Sequence, residues 1–456
     1  MKFITIIMMQ TLKLSIKKAF IKLVCSALLI VGSSSVYAAC IVDGISYNVG
    51  GTGLSSSSGA GGAITRTIIK DDWDTTDDDV STCDVSAITD MSELFRDNAS
   101  FNDVIGTWDV SNVTTMTMMF RDAIAFNQDI SSWNVSSVIN MTEMFRDEVV
   151  DSSNRQQFNQ DISPWNVSSV TDMSYMFNGA SVFNNGNAAL DWGHTSSVTN
   201  MENMFRGAST FNQDISDLNV ANVTNMREMF RGANAFNQDI SDLNVANVTN
   251  MREMFNGASA FNNGGVALDW NVSKVTTMLQ MFDNADAFNQ DVSGWNVIKV
   301  TSMKRMFANT AIFNNGGVAL TWGDKTSKVT TMFKMFYLAN AFNQDVSDWN
   351  VAAVTSMKQM FRDADDFNNG GVALDWSDTS KVTDMYEMFS GATVFNQDVS
   401  TSGNSWNVAE VITMYRMFKD ADAFNQDISS WDVSKVRAMN EMFYGATQST
   451  ANYDAL

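Results

Sequence analysis

One phrase of about 25 residues recurs along most of this 456-residue chain. A fixed period of this size is typical of repeat proteins, in which each unit packs only against its neighbours. The chain is therefore predicted to fold as one elongated solenoid, since a single globular core rarely exceeds about 300 residues. The fullest form reads F-N-Q-D-I-S-x-W-N-V-S-x-V-T-x-M-x-x-M-F-x-x-A, and its second phenylalanine falls at Phe95, Phe120, Phe145, Phe177, Phe205, Phe230, Phe255, Phe282, Phe307, Phe336, Phe361, Phe389, Phe418 and Phe443.

The repeat also accounts for nearly all of the largest apolar residues. Three of the 31 methionines precede residue 39, and 27 of the other 28 occupy the two Met positions of the repeat. Leu94 fills the one vacant Met position, and Met118 is the one methionine outside them. Of 12 tryptophans only Trp73 lies outside the repeat, while Leu218 and Leu243 replace tryptophan in two copies. Fixed positions of this kind predict a packed core rather than a cofactor site.

The two parts of each repeat have different apolar periods. In the Met-Phe segment (M-x-x-M-F-x-x-A, residues 116–123 of the second copy) apolar residues stand at i, i+3, i+4 and i+7, which predicts a short helix with one buried stripe. In the Trp-Val segment (I-x-x-W-x-V-x-x-V, residues 130–138), the Trp-x-Val step alternates like a strand with one buried face. The prediction is an α/β solenoid of about fourteen coils, each with one short strand and one short helix.

The repeat motif resembles that of a known family. The Trp-Val segment is similar to the L-x-x-L-x-L-x-x-N core of leucine-rich repeats, and over residues 80–447 the whole unit resembles the BspA-like leucine-rich-repeat surface proteins, in a bacterial subgroup of unknown function. The resemblance implies a leucine-rich-repeat-like solenoid at a cell surface or outside the cell. It also implies an adhesin-like function, since some relatives are described as binding host matrix proteins or other cells. This chain differs in carrying Val where many relatives have Asn.

The N-terminal residues 1–38 have the pattern of an export signal. Lysines precede an apolar run at 23–32, and small residues follow it up to Ala38, where cleavage is expected. The apolar run is shorter than the roughly 20 residues that cross a bilayer. Residues 39–79 are predicted to form an N-terminal cap with a Gly/Ser-rich segment, residues 80–447 the solenoid, and residues 448–456 a tail. The expected location is extracellular or on the cell surface.

Two cysteines, Cys40 and Cys83, remain after the signal is removed. In an exported protein such a pair predicts a disulfide. Cys83 stands at the Trp position of the first coil, so the bond would tie the cap to the open end of the solenoid. The alternative is a lipid on Cys40, which follows Ala39, although Tyr37 occupies the place where lipoprotein signals usually have an aliphatic residue.

The chain is strongly acidic, with a formal net charge of −22. Five of its lysines and none of its acids lie in residues 1–38, so the remaining chain carries −27. Such a chain is a poor ligand for nucleic acid or anionic lipid. We expect a monomer with no nucleic-acid partner and no membrane span, whose partner is a protein or glycan.

Catalytic and metal-binding motifs are missing from the sequence. The one histidine, His194, stands in a turn without a nucleophile motif, so no enzyme and no cofactor is predicted. Calcium is an alternative at the acidic run 71–79 or at the repeated aspartate of Q-D-I/V, since carboxylates are hard oxygen ligands. The other interpretation is that each such aspartate caps its own turn. The repeated aspartates are Asp129, Asp161, Asp214, Asp239, Asp291, Asp345, Asp398 and Asp427.

An asparagine column is the candidate binding face. This residue alternates with the buried Trp or Leu and Val, so it should face outward, either as a ligand-binding ladder or simply as a solvated surface. Asn-Asn-Gly insertions at 184–186, 262–264, 314–316 and 368–370 are expected on the rims, where partners also bind. We predict a non-catalytic, adhesin-like scaffold for proteins, cells or glycans, with a structural spacer of the cell envelope as the alternative. The column comprises Asn134, Asn166, Asn219, Asn244, Asn271, Asn296, Asn350 and Asn407.

Overall fold

Each repeat folds as one coil built from four-residue turns. The computed structural model describes residues 39–42, 45–48, 80–81, 83–148, 155–376, 378–401 and 406–449, all within one compact unit, Ala39–Leu456. Strands β1 (Ala39–Val42) and β2 (Ile45–Asn48) form an antiparallel hairpin with Ala39 opposite Asn48 and Val42 opposite Ile45. The other regular elements in the described residues are short 3₁₀ helices at Asn185–Asn187, Asn263–Gly265, Asn315–Gly317, Gly323–Thr326 and Asn369–Gly371.

The turns place the apolar residues on the inside of the coil. In the Met-Phe segment, the N–H of Met119 donates to the carbonyl of Met116, and the N–H of Ala123 donates to that of Phe120, both at 3.1 Å. The Trp-Val segment forms two more turns, closed at Trp133 and at Val138. A turn brings its first and last Cα atoms within about 7 Å. Both end residues can therefore enter the core, which explains the three-residue spacing of the apolar positions.

Hydrogen bonds between coils use the remaining N–H groups of the Met-Phe segment. The N–H of Met118 donates to Thr142 of the next coil and that of Phe120 donates to Met144, each at 2.9 Å. One N–H therefore closes a turn and the next one joins the neighbouring coil. Thirteen isolated parallel bridges connect fourteen coils through Asp90, Thr115, Asn140, Asp172, Asn200, Asn225, Asn250, Thr277, Ser302, Thr331, Ser356, Asp384, Thr413 and Ala438.

The prediction of a repeat solenoid is confirmed, but the prediction of one strand and one helix per coil is wrong. No α-helix occurs in the described residues, and the inter-coil ladder runs through the Met-Phe segment that was predicted to be helical. Met118 and Asp122 have φ values of +56° and +55°, which interrupt a right-handed helix. The Trp-Val segment, predicted as a strand, lies in turns instead, since the N–H of Trp133 bonds within its own coil.

Stacked aromatic rings fill the core between the turns. Within one coil the rings of Phe120 and Phe126 stack with centroids 4.0 Å apart, and Phe120 stacks on Phe145 of the next coil at 5.4 Å. The indole N–H of Trp133 donates to the carbonyl of Ile105 in the preceding coil at 3.0 Å, and the ten other described repeat tryptophans make the equivalent bond. The predicted assignment of Trp and Phe to the core is therefore confirmed.

Candidate binding surfaces

The predicted asparagine column lies on the outside of the solenoid and caps turns. In each of its eight members the side-chain Oδ1 accepts the backbone N–H two residues later, at 3.0 Å for Asn407 and up to 3.3 Å for Asn244 and Asn296. Seven members are exposed, and Asn350 is half-buried with its Nδ2 bonded to Asp324. The column thus presents amide groups outward, as expected, and its binding role remains a prediction.

The repeated aspartates also cap their own turns. The Asp129 carboxylate accepts the backbone N–H of Ser131 at 2.9 Å, and the equivalent bond occurs in the seven other copies. The Ser131 hydroxyl and then its N–H lower the pKa of Asp129 from its ordinary value. No group of three or more His, Cys, Asp or Glu side chains among the described residues is placed to hold a metal ion. The acidic run 71–79 lies outside the described residues.

A second asparagine column, which sequence reasoning missed, joins the coils. In the first twelve members the Oδ1 of the asparagine in the F-N step accepts the backbone N–H of its counterpart in the next coil, at 2.7–3.0 Å, and that of Asn425 accepts the N–H of Ser449. The signal in the sequence was the unbroken recurrence of asparagine after that phenylalanine. The thirteen members are Asn102, Asn127, Asn159, Asn184, Asn212, Asn237, Asn262, Asn289, Asn314, Asn343, Asn368, Asn396 and Asn425.

The Asn-Asn-Gly insertions are packed against the preceding coil. The side chain of Asn263 is fully buried, and its Oδ1 accepts the N–H of Ile240 at 2.9 Å. Its Nδ2 donates to the carbonyl of Val266 in its own loop at 2.9 Å. Gly264 has a φ of +61°, and a Cβ there would lie 3.2 Å from the backbone nitrogen of Asp239. These loops are therefore held in place by hydrogen bonds to the preceding coil and within the loop.

Cys83 is buried at the Trp position of the first coil and is disulfide-bonded. The side chain of Cys40 lies outside the described part of the structure, so the predicted pairing with Cys40 stays a prediction. His194 is exposed in the turn after Trp192, as its place in the sequence indicated. An apolar cavity of about 370 Å³ opens at the last described coil, lined by Trp431, Met442 and Phe443 among others.

The residues of the Met-Phe segments that lie outside the core form one face along the solenoid, which we call the ladder face. In the coils between residues 93 and 253 (coils 93–253), arginine and glutamate dominate this face. Arg231 bridges Glu228 at 3.0 Å and Glu253 of the next coil at 2.8 Å, and both glutamate side chains are nearly buried. Burial raises the pKa of Glu228, but hydrogen bonding to Arg231 and the neighbouring arginines lower it below its ordinary value. The charges on this part of the face are largely neutralised.

Lysine and aromatic residues are added to arginine–acid pairs on the ladder face of the later coils. We call the set the lysine–aromatic ladder. The ammonium of Lys304 lies 5.0 Å from the ring centroid of Phe333, that of Lys334 lies 4.3 Å from Tyr337, and that of Lys358 lies 4.4 Å from Tyr386. The six members are Lys304, Phe333, Lys334, Tyr337, Lys358 and Tyr386, each half-buried.

The fold and its surfaces define a repeat solenoid protein with an apolar, aromatic core and outward columns of polar side chains. The family described as "Mycoplasma protein of unknown function, DUF285" matches residues 66–185, 186–267, 247–322, 265–376, 320–401 and 371–455. The chain belongs to this family, whose repeated match agrees with the coils. No curated protein matches the chain in sequence.

A search for membrane-spanning helices in the described part of the chain finds none of sufficient length and hydropathy.

Proposed function

We propose that this chain is an exported, non-catalytic scaffold whose outward columns bind a protein, a cell surface or a glycan. The supporting observation is that the buried and the outward positions of each coil carry different kinds of side chain. Nearly all Phe, Trp and Met side chains of the fixed repeat positions are buried in a continuous core, while the outward positions repeat at coil spacing along an extended face. Extended repeat surfaces of this kind are well suited to binding large partners. The scaffold is expected to act as a monomer without a resident cofactor.

The finer family assignment is part of this proposal. The motif resemblance to BspA-like leucine-rich-repeat surface proteins supports an adhesin-like function at the cell surface. The solenoid and the outward asparagine column agree with a leucine-rich-repeat-like plan, with turns in place of the helix and strand of each coil. The export signal pattern at residues 1–38 supports an extracellular location.

The test is direct binding by the intact chain after removal of residues 1–38. Labelled protein is titrated onto cultured host cells, extracellular matrix and an array of glycans. A matched variant carries Asn→Ala substitutions at Asn244, Asn271 and Asn296, which lie in three successive coils of the asparagine column. Saturable binding supports the proposal, and weaker binding by the variant assigns it to the column. Failure to bind any cell, matrix or glycan would contradict it.

The alternative is a structural spacer of the cell envelope without a specific ligand. The Arg–Glu pairs of coils 93–253, whose glutamates are nearly buried, favour it, since a neutralised face is suited to holding coils together. A spacer would remain with the envelope when cells are fractionated into medium, surface and interior, and it would bind nothing in the titration. A binding scaffold would give saturable binding wherever it is found.

A further inference from the structure

Within the described part of the chain, the three lysines of the lysine–aromatic ladder form no ion pair. Among the described residues, Lys304, Lys334 and Lys358 have no carboxylate within salt-bridge distance. The nearby acids are already occupied: Asp283 is paired with Arg305 at 2.6 Å, and Glu387 is paired with Arg362. Three positive charges are therefore available on one face of a strongly acidic chain.

The cations of this face are crowded together. Lys334 lies among Arg305, Arg362 and Lys358, and burial followed by these neighbouring charges lowers its pKa below the ordinary value, although the carboxylate of Asp283 acts in the opposite direction. Like charges held this close destabilise the folded chain unless something compensates them. The equivalent face of coils 93–253 avoids this cost by alternating arginine with glutamate. Asp283 and Glu387 are paired with Arg305 and Arg362, so the lysines remain in excess and favour an external anion as the compensating group.

The rings of the ladder fix the lysines and leave little free surface of their own. Phe333 is contacted by Lys304 and by Lys334, at 5.0 and 5.6 Å. Tyr386 is contacted by Lys358 at 4.4 Å and stacks on Tyr415 at 5.1 Å. Stacking of nucleobases would have to displace one of these neighbours, so the face is poorly suited to single-stranded nucleic acid. The ligand that suits it carries its charges along its length.

The spacing of the positive charges follows the coils. Lys304, Phe333, Lys358 and Tyr386 occupy the same repeat position in four successive coils, the residue after the first Met. The N–H of Arg305 bonds to Phe333 and that of Lys334 bonds to Lys358, at 2.9 and 3.0 Å, so these coils are directly hydrogen-bonded. Hydrogen-bonded strands lie about 4.8 Å apart, which places Lys304 and Lys358 about 10 Å apart along the ladder. Lys334 belongs to the coil between them and stands one residue further from its first Met, so the three charges follow one another along the solenoid as the charges of a linear polymer do.

We propose that the lysine–aromatic ladder binds a linear anionic polysaccharide, with sulfate or carboxylate groups on its sugars paired to Lys304, Lys334 and Lys358. The inference rests on the proposed function, because it requires a chain that meets polysaccharides outside the cell. The aromatic side chains hold each ammonium in place before binding, which reduces the entropy lost when the complex forms.

The experiment measures binding of the intact chain, without residues 1–38, to dextran sulfate and to neutral dextran of equal length. The ladder variant carries K304Q, K334Q and K358Q. The control variant carries K274Q, K299Q and K328Q, which removes three exposed lysines from three successive coils at a position without aromatic neighbours. We expect the ladder variant to bind dextran sulfate roughly 100-fold more weakly. The control should stay within about threefold of the natural chain, and neutral dextran should not bind.

Several outcomes would overturn the inference. Equal weakening by both variants would show that net charge, and not the ladder, controls binding. Equal or tighter binding of a thymidine oligonucleotide or of polyglutamate would reject a polysaccharide as the preferred ligand. If the ladder variant folds poorly, the salt dependence of binding by the natural chain tests the proposal instead. Binding through three charges predicts a slope of about −2 to −3 when the logarithm of the association constant is plotted against the logarithm of the salt concentration. Binding that ignores salt would contradict the proposal.

Competition separates this inference from the proposed function. Dextran sulfate should displace the chain from any cell or matrix that it binds. Persistent binding to cells in excess dextran sulfate would leave the proposed function standing and reject the ladder as its site. Absence of binding to every cell, matrix and glycan would reject both.

Discussion

At the scale of single residues, two asparagines of the same repeat have opposite roles. Asn296 lies outside the coil and caps its own turn by accepting the N–H of Ile298 at 3.3 Å. Asn289 instead joins coils, because its Oδ1 accepts the N–H groups of Asn314 and Gly316 at 2.7 and 3.1 Å. A capping bond can be replaced by water at the surface, whereas the N–H of Asn314 lies in a half-buried residue between two coils, where water replaces the bond less well.

Replacing these two asparagines by alanine should therefore have unequal effects. Asn289→Ala removes the acceptor of the half-buried N–H of Asn314, and we expect a loss of roughly 1–3 kcal/mol in the free energy of unfolding. Asn296→Ala should cost less than about 1 kcal/mol. Urea unfolding followed by tryptophan fluorescence measures both. Equal losses would contradict the distinction between the two columns.

At the scale of elements, the coil depends on turns with a positive φ at their third residue. Glycine occupies this position in several Met-Phe segments, and Gly179 and Gly257 stand in the identical local sequence M-F-N-G-A with φ values of +78° and +72°. The neighbouring coils differ. A Cβ on Gly179 would lie 1.9 Å from the carbonyl oxygen of Asp147, whereas the atom nearest to a Cβ on Gly257 would be the Cα of Gly232 at 3.8 Å.

Alanine at these two glycines separates backbone strain from contact between coils. Gly257→Ala should cost about 1–2 kcal/mol, the strain of a left-handed conformation. Gly179→Ala should cost at least about 2 kcal/mol more, because the added methyl group overlaps the backbone of the preceding coil. Thermal and urea unfolding of the two variants give the comparison. A larger loss at Gly257 would contradict the close approach of Gly179 to the backbone of Asp147.

At the scale of the whole molecule, stability comes from contacts between neighbouring coils. Residues 205–229 and 230–254 differ at only two positions, 209/234 and 210/235. Removal of residues 230–254 would join Met229 to Phe255 and restore the sequence that precedes Phe255 in the natural chain. The interface between coils should therefore re-form without a break in the aromatic stack or in the F-N asparagine column.

Deletion of residues 230–254 should thus leave a folded protein with one coil fewer. We expect an unchanged circular dichroism spectrum per residue and a urea m-value lower by about 7%, since one of fourteen coils no longer contributes exposed surface on unfolding. Deletion of residues 230–241 serves as the control, because it removes about half a coil and puts Phe and Trp positions out of register. Cooperative unfolding of that control would contradict the assignment of the coil boundaries.

The sequence by itself determined the period, the number of coils and the direction of the side chains. The three-residue spacing of Met116 and Met119 and the unbroken recurrence of Phe and Trp reveal which positions are buried. It did not determine the secondary structure, because positions i, i+3, i+4 and i+7 are on one side both in a helix and in two successive turns. A helix and two successive turns differ in the acceptor for the N–H of Met118. Here that acceptor is the carbonyl of Thr142 in the next coil, so the segment forms turns.

Only the tertiary structure decided which surface residues come together. Lys304, Lys334 and Lys358 are at least 24 residues apart in the sequence, and each alone is an ordinary surface lysine. Stacking of hydrogen-bonded coils brings them onto one face with Phe333, and at the same time buries the acids that would otherwise neutralise them. Side-chain direction follows from local periodicity, whereas contact between coils depends on which backbone groups of distant residues bond to each other.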